Sequence, residues 1–370
     1  MDTDRPKERK QGRGLGKRMT SELDELHELL EQLEEDRRSS ITGKLHFLSD
    51  LSGERLAEVC TAWETYAVDQ RRRLIHAMVD LAETNFEVNF DALFRHCLTD
   101  PDEEVRTAAI DGLWEDEEVG LVAPLLTMLR HDPSAPVRAA AAISLGRFVL
   151  AGELEKLDET ILQRIVAELL AVIHLPGETV EVRRRALESV TYSSQIQVRS
   201  LLDSAYYDSD ERMRQSAIVG MGRSCDERWI KYLLAELESN SPAMRYEAAW
   251  ACGELGLPRA VSRLARLVQD PDRQVSNAAI WALGQIGGTE ARQALLDAYE
   301  DADRDMQAAL DDAIAEQSLA DGEIEFTLYD TEALANDPGL FDLIDPIDDR
   351  FEYQEKVDYD DDDAYPYDDE

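Results

Sequence analysis

The chain has 370 residues, of which 44% are hydrophobic and 32% are charged, and its formal net charge is −40. A negative charge of this size opposes non-specific binding to nucleic acid, because protein and phosphate would repel each other. No apolar run approaches 18 residues and the first residues lack an apolar stretch, so we expect neither a membrane span nor a secretory signal. The four cysteines lack Cys-x-x-Cys spacing, which favours reduced packing residues and a cytoplasmic location over a metal site.

Two segments precede the main pattern of the chain. Residues 1–19 are rich in Lys, Arg and Gly, so we expect a disordered basic arm. This arm is either a solubilising terminus or a segment that docks on an acidic surface, on nucleic acid or on the acidic end of the chain. Within residues 20–49, leucines recur at helical spacing: Leu23, Leu26, Leu30 and Leu33. They predict a helix that caps the first repeat, and a short coiled coil is the alternative.

Residues 50–318 repeat one pattern. An arginine marks the register in six units and is replaced in the last two; the positions are Arg72, Arg106, Arg138, Arg183, Arg214, Arg245, Ser276 and Gln307. Successive positions are 31 to 45 residues apart, and the last four intervals are all 31. A period of this size is typical of a helical solenoid, in which stacked units complete one another's core.

Each unit is predicted to be a helix, a turn and a second helix. Relative to the register position, apolar side chains recur at −1 and +7 and alanine recurs at +3, which places them on one helix face. Six residues before the register stands an aspartate that we expect to cap the second helix: Asp100, Asp132, Asp208, Asp270 or Asp301. The 45-residue interval before Arg183 predicts a longer first helix and an extended loop at about 149–160.

These residues resemble HEAT repeats, and most closely the bacterial subset called phycobilisome-lyase HEAT-like repeats. The resemblance is clearest at residues 132–146 and 270–287, which follow the pattern DPDxxVRxxAAxALGxxG. It implies an all-α fold, a right-handed α-solenoid of about eight helix pairs with disordered termini. It also implies a ladder of side chains between units: Asp100 with Arg106, Asp132 with Arg138 and Asp208 with Arg214. Ser276 and Gln307 depart from the pattern and are expected to break this ladder.

The resemblance also places the second helices along a concave groove, so that residues opposite the core face become candidates for binding a partner. They are Val219, Trp250 and Trp281 at +5, with Ile143; Arg184, Tyr246 and Asn277 at +1; and Arg147 and Arg223 at +9. Trp, Tyr and Arg are enriched at binding hot spots. Trp250 and Trp281 are therefore the predicted centre of a protein- or peptide-binding groove. The alternative is that both tryptophans pack between repeats.

The region 319–370 is an acidic tail, in which twenty Asp and Glu residues accompany only Arg350 and Lys356. Blocks of like charge repel one another, so we expect this tail to stay largely disordered. It is either a solubility segment or an interaction segment for a basic surface. Another hypothesis is self-regulation, in which the tail competes with a partner for the arginine-bearing groove.

Catalytic residues do not form a recognisable pattern in this sequence. The histidines do not recur with the repeats, and the adjacent pair His27 and Glu28 lies outside them, which disfavours the HEAT-type diiron hydroxylases. The acidic charge argues against a DNA-glycosylase-type groove. A chromophore-lyase-like or other HEAT-type enzyme subunit is the alternative. We predict a non-enzymatic scaffold, with no cofactor or metal and no membrane partner, that binds a protein or peptide in the groove.

Overall fold

The computed structural model describes residues 45–299 and 302–320. Within these ranges it contains sixteen α-helices and no β-strand, and the helices form eight consecutive pairs. The described residues belong to one compact unit that ends at Ala320. The predicted α-solenoid of about eight helix pairs is confirmed. The basic arm, most of the capping region and the tail beyond residue 320 lie outside the described residues, so their structure stays a prediction.

The helices alternate between two roles along the chain. The first helices of the pairs are α1 (Gly53–Trp63), α3 (Asp91–Cys97), α5 (Val122–His131), α7 (Glu159–Ile173), α9 (Ile196–Tyr206), α11 (Ile230–Glu236), α13 (Val261–Leu267) and α15 (Gly288–Tyr299). The second helices are α2 (Val68–Thr84), α4 (Glu103–Gly112), α6 (Ala135–Glu153), α8 (Val180–Val190), α10 (Glu211–Arg223), α12 (Pro242–Glu254), α14 (Arg273–Ile286) and α16 (Arg304–Ala320). Each second helix packs against the next second helix, so these helices form a continuous row.

The repeated apolar positions form the core of the solenoid. The alanines at +3 are fully buried: Ala109, Ala141, Ala186, Ala217, Ala248 and Ala279. The −1 residues from Val105 to Val275 are buried as well, as are the +7 residues from Leu113 to Leu283. A methyl side chain at +3 lets neighbouring helices approach closely, which is why the small residue recurs there.

Glycines at +8 bring successive second helices still closer together. A Cβ atom added to Gly146 would lie 2.9 Å from Ser189 Oγ, and one added to Gly222 would lie 2.8 Å from Ala251 Cβ. Gly284 is similarly crowded by the following helix. These separations are shorter than a normal carbon contact, so any larger residue would push the helices apart.

The turns between helices differ from the prediction in one respect. Four of the aspartates six residues before the register accept a hydrogen bond from the backbone N–H two residues later: Asp100, Asp132, Asp208 and Asp270. Their carboxylates therefore stabilise the turn rather than the helix end. The caps are instead residues such as Asp102 and Asp272, whose carboxylates accept from N–H groups in the first helical turn. In these four units the predicted cap was two residues too early, and Asp301 lies outside the described residues.

Helices α6 and α7 accommodate the 45-residue interval. The predicted long first helix is α7, with 15 residues, but α6 continues through Glu153 and leaves a loop of only residues 154–158. The loop predicted at 149–160 is therefore wrong. Helix α6 continues because Phe148 and Val149 are buried, and because Gly152 lies against Leu162, whose Cδ1 would be 2.7 Å from an added Cβ.

Helix α6 is also the one helix in the described ranges that is long and apolar enough to cross a membrane, with a mean hydropathy of 1.2. The sequence expectation missed this segment because Arg138 and Arg147 interrupt its apolar residues. Neighbouring helices bury 61% of its apolar window. Burial of this extent is typical of a core helix.

Arginine side chains connect successive units as a ladder. Arg106 donates two hydrogen bonds of 2.8 Å to the carboxylate of Asp132, and Arg245 donates two of 2.7 and 2.8 Å to Asp270. Arg138 binds Glu178 in the same bidentate way. Each of these guanidinium groups pairs with a carboxylate, and this pairing offsets the cost of burying the two charges.

The ladder pairs differ from those implied by the resemblance. Within its own unit, Arg106 donates to the backbone oxygen of Asp100, and Arg214 to that of Asp208. The carboxylate partner of a ladder arginine belongs to the following unit, which is why Arg138 reaches Glu178 rather than Asp132. At the two substituted register positions the side chains bind backbone oxygens: Ser276 binds Val268 and Gln307 binds Ala302.

Candidate functional site

The predicted groove residues lie on the row of second helices, at the register positions +1, +5 and +9. We call the side of the row that carries these positions the second-helix face. The structure distributes the candidates over α6 to α14 and brings only part of them together. Three groups are distinguishable: an aromatic cluster on α12 and α14, a charged cluster on α8 to α12, and a depression beside α6.

The aromatic cluster consists of Tyr246, Trp250 and Trp281. The ring centroids of Trp250 and Trp281 are 3.6 Å apart at an interplanar angle of 42°, so the two rings touch across the boundary between α12 and α14. Tyr246 lies one turn before Trp250, with nearly parallel rings 6.3 Å apart. All three side chains are half-buried. The rings therefore pack between repeats and still reach the surface, and their role as the centre of a binding groove stays a prediction.

Gly253 makes the position of Trp281 possible. A Cβ atom at residue 253 would lie 2.5 Å from Cζ3 of Trp281 and 2.8 Å from Cα of Ala282. The missing side chain therefore leaves the space that the indole ring occupies. Contacts between aromatic rings contribute about 0.5–1.5 kcal/mol beyond the burial of their area, so the aromatic cluster joins two repeats as well as exposing ring surface.

The charged cluster begins on α8. Arg184 donates to Glu181 at 2.6 and 2.7 Å and to Glu188 at 3.2 Å, while Arg185 binds the same two carboxylates at 3.1 and 2.9 Å. Glu188 is buried and also accepts a hydrogen bond of 2.5 Å from the hydroxyl of Ser216 on α10. Both arginines are therefore already neutralised by acids of their own helix.

Arg223 and Glu247 complete the charged cluster. Arg223 donates to the backbone oxygen of Glu188 at 3.2 Å, and its guanidinium carbon lies 5.0 Å from the ring centroid of Tyr192, a cation–π contact. Glu247 is half-buried on α12, and no residue of the described ranges hydrogen-bonds its carboxyl group. Burial, together with the charge of Glu188, raises the pKa of Glu247 to about 7, although Arg184, Arg223 and Arg185 oppose the shift.

Arg147 lies apart from these clusters, beside an open depression of about 650 Å³ between α4 and α6. Trp114 and Ile143 line this depression and are 48% and 49% exposed. Arg147 Nη1 donates to the backbone oxygen of Trp114 at 3.0 Å. Burial lowers the pKa of Arg147. The structure therefore does not place Arg147 with Trp250 and Trp281.

The two remaining candidates lie on α10 and α14, the helices on either side of α12. Asn277 is exposed at the start of α14, four residues before Trp281, and Val219 is half-buried on α10. Their positions on the second-helix face agree with the pattern of the repeats. Asn277 offers an exposed polar group beside the cluster.

Three residues of the second-helix row and its arginine ladder were not anticipated. Trp114 stands at +8, where four other units have glycine. This departure from the repeat was the signal in the sequence that could have singled it out. Glu247 stands at +2, between the core and groove positions. The sequence does not show whether its carboxyl group has a hydrogen-bond or ion-pair partner, because that depends on how α10 packs against α12. Glu178 was missed because it stands five rather than six residues before Arg183.

Metal ligands are not clustered in the part of the chain that the structure describes: no group of three or more His, Cys, Asp or Glu side chains there could hold a metal ion.

A family model described as HEAT repeats matches residues 90–168 and 230–315. The predicted HEAT repeats are therefore confirmed within these two ranges, whereas the phycobilisome-lyase subset and a bacterial origin stay predictions. Among curated proteins, no match was found.

Several solved structures are similar to the chain. Human deoxyhypusine hydroxylase is 16% identical with a TM-score of 0.33, over 72% of this chain and 96% of that one. Importin beta is 15% identical with a TM-score of 0.42, over 76% of this chain and 43% of that one, so the match spans less than half of its length. The Escherichia coli protein YibA is 15% identical with a TM-score of 0.39, over 73% of this chain and 98% of that one.

Proposed function

We propose that the protein is a non-enzymatic scaffold that binds a protein or peptide on the second-helix face, centred on the aromatic cluster. The observation that carries this proposal is the contact between Trp250 and Trp281 across two repeats, with Tyr246 beside them. Half-buried aromatic rings are held rigidly by their neighbours while keeping surface for a partner, and such residues dominate binding energies at interfaces.

The repeat architecture supports the same proposal. A row of second helices presents equivalent positions every repeat, which suits an extended ligand that touches several units. In the proposal this face lines the concave groove. Asn277, Val219, Arg184 and Arg223 would contact the flanks of the ligand, and Arg147, more distant, would reach only a longer one. We also propose a cytoplasmic location for the scaffold.

The test is capture of partners from source-cell lysate with three baits, read by quantitative mass spectrometry. The first is the wild-type chain and the second is Trp250→Ala/Trp281→Ala. The matched control is Trp114→Ala, which removes an exposed tryptophan elsewhere on the same row. We expect a partner that the wild type and the control recover equally and that the double variant loses at least tenfold.

A loss of folding must be separated from a loss of binding. Helical content and the thermal midpoint from circular dichroism check each bait. Asn277→Arg provides a second variant, because this exposed side chain can be changed without removing packing. If the double variant and Asn277→Arg both recover the wild-type partners, the aromatic cluster is not the binding site.

The alternatives have different consequences. A chromophore-lyase-like or other enzyme subunit would retain an absorbing cofactor or turn over a substrate. A module regulated by its acidic tail would bind its partner more tightly after deletion of residues 321–370, and unchanged affinity would remove that hypothesis.

A further inference from the structure

The carboxyl group of Glu247 lies half-buried on the second-helix face, close enough to Arg184, Arg185 and Arg223 for their charges to affect its pKa. Within the described ranges the nearby cations are already engaged: Arg184 and Arg185 by Glu181 and Glu188, and Arg223 by a backbone oxygen and an aromatic ring. Glu247 itself has no hydrogen-bond or ion-pair partner there. A half-buried carboxylate without a partner is unfavourable, and an incoming cation would relieve this cost.

Glu247 lies next to the aromatic cluster on one helix. Tyr246 precedes it directly, and Trp250 follows three residues later, which puts the two side chains about 5–6 Å apart at their Cβ atoms. Trp281 extends the aromatic surface across the repeat boundary. A carboxylate beside indole faces suits a guanidinium or ammonium group, because the acid neutralises its charge and the rings attract it electrostatically.

We propose that Glu247, Tyr246, Trp250 and Trp281 form a pocket for an arginine or lysine side chain of a partner peptide. The cationic head pairs with Glu247, and the aliphatic stem lies against Trp250 and Trp281. The net charge of −40 supports a basic partner, since it attracts cationic segments over a distance. This inference rests on the proposed function and names the chemistry of its ligand.

The pocket implies a dependence of binding on pH. The charged groups that affect the pKa of Glu247 are Arg184, Arg185 and Glu188 on α8 and Arg223 on α10. Because the pKa of Glu247 is raised to about 7, the free protein holds a proton on this group at pH 5.5 and loses it by pH 8. Binding a cation requires the ionised form, so affinity should increase between these pH values.

The experiment uses the full chain and four pools of labelled nonapeptides, blocked at both ends. The central residue is Arg, Lys, Gln or Glu, and the other positions are mixtures of uncharged residues. Fluorescence polarisation measures affinity at pH 5.5 and 8. We expect the Arg and Lys pools to bind at least tenfold more tightly than the others at pH 8, and this preference to fall at pH 5.5.

Matched variants separate the pocket from general attraction by an acidic protein. Glu247→Gln should remove most of the tenfold preference and its pH dependence. Glu290→Gln removes the same charge from an exposed position on α15 and should leave both unchanged. Equal effects of the two variants, or no preference for Arg and Lys in the wild type, would overturn the pocket. If Trp250→Ala/Trp281→Ala still loses its captured partner in that case, the proposed function stands and only the ligand chemistry is wrong.

Discussion

Replacing Gly253 by alanine tests whether close contact between successive second helices positions the aromatic cluster. The added Cβ would lie 2.5 Å from Trp281 Cζ3 and 2.8 Å from Ala282 Cα, whereas carbon atoms normally approach to about 3.5–4.0 Å. The ring can shift, but the backbone of α14 cannot move without separating from α12. Overpacking of this kind destabilises by about 1–3 kcal/mol. Alanine regains about 1 kcal/mol through its helix propensity, so we expect a net loss of up to about 2 kcal/mol.

Urea unfolding followed by circular dichroism measures the free energy, and tryptophan fluorescence reports whether the environment of Trp281 changes. The control is Gly120→Ala, because the nearest atom to its added Cβ is Arg95 Nη1 at 3.9 Å. This control should be neutral or slightly stabilising. A Gly253→Ala protein as stable as wild type, with unchanged fluorescence, would show that the helices are not in the close contact described.

Three further changes probe other parts of the structure. Arg106→Met leaves the buried carboxylate of Asp132 without its partner and should destabilise the protein by about 3–5 kcal/mol. The control is Arg273→Met, which removes an exposed ion pair and should cost under about 1 kcal/mol. Equal urea midpoints for the two variants would show that the ladder does not stabilise the fold. Glu247→Gln should stabilise the protein by about 1–2 kcal/mol at pH 8 and have no effect at pH 4.5. The reason is that the fold disfavours the ionised carboxylate, which raises the folded-state pKa to about 7, and this carboxylate is present only at the higher pH. A stability gain that persists at pH 4.5 would contradict this cause. A thiol reagent should label exposed Cys225 rapidly but reach Cys252, whose pKa is raised to about 12 by burial, only after unfolding; rapid labelling that survives Cys225→Ser would place another thiol at the surface.

Much of the fold followed from the repeat itself. The spacing of the register residues predicted eight helix pairs, and the alanines at +3 predicted the buried face because helical geometry alone puts −1, +3 and +7 on one side. Local chemistry was harder to assign. Asp100 and Asp102 are both plausible caps by residue type, and which of them binds the first helical turn depends on how the turn is closed.

The candidate site was predictable as a set of positions but not as a group of contacts. The repeat placed Trp250 and Trp281 at equivalent positions in neighbouring units, so their proximity could be anticipated. Arg147 belongs to the same pattern, yet it lies at another part of the row, since equivalent positions in distant units need not meet. Periodicity gives the angle of a side chain around its helix and says nothing about which neighbour it touches.

The sequence by itself determined the helical class, the repeat length and the core face, because these depend on intervals along one chain. Only the tertiary structure decided that Arg106 binds Asp132 of the following unit, that the two indole rings touch, and that Glu247 has no partner in the described ranges. Those outcomes depend on distances between residues about 25 or more positions apart, or on the surroundings of a whole helix face. They are set by how closely alanine and glycine allow successive second helices to approach.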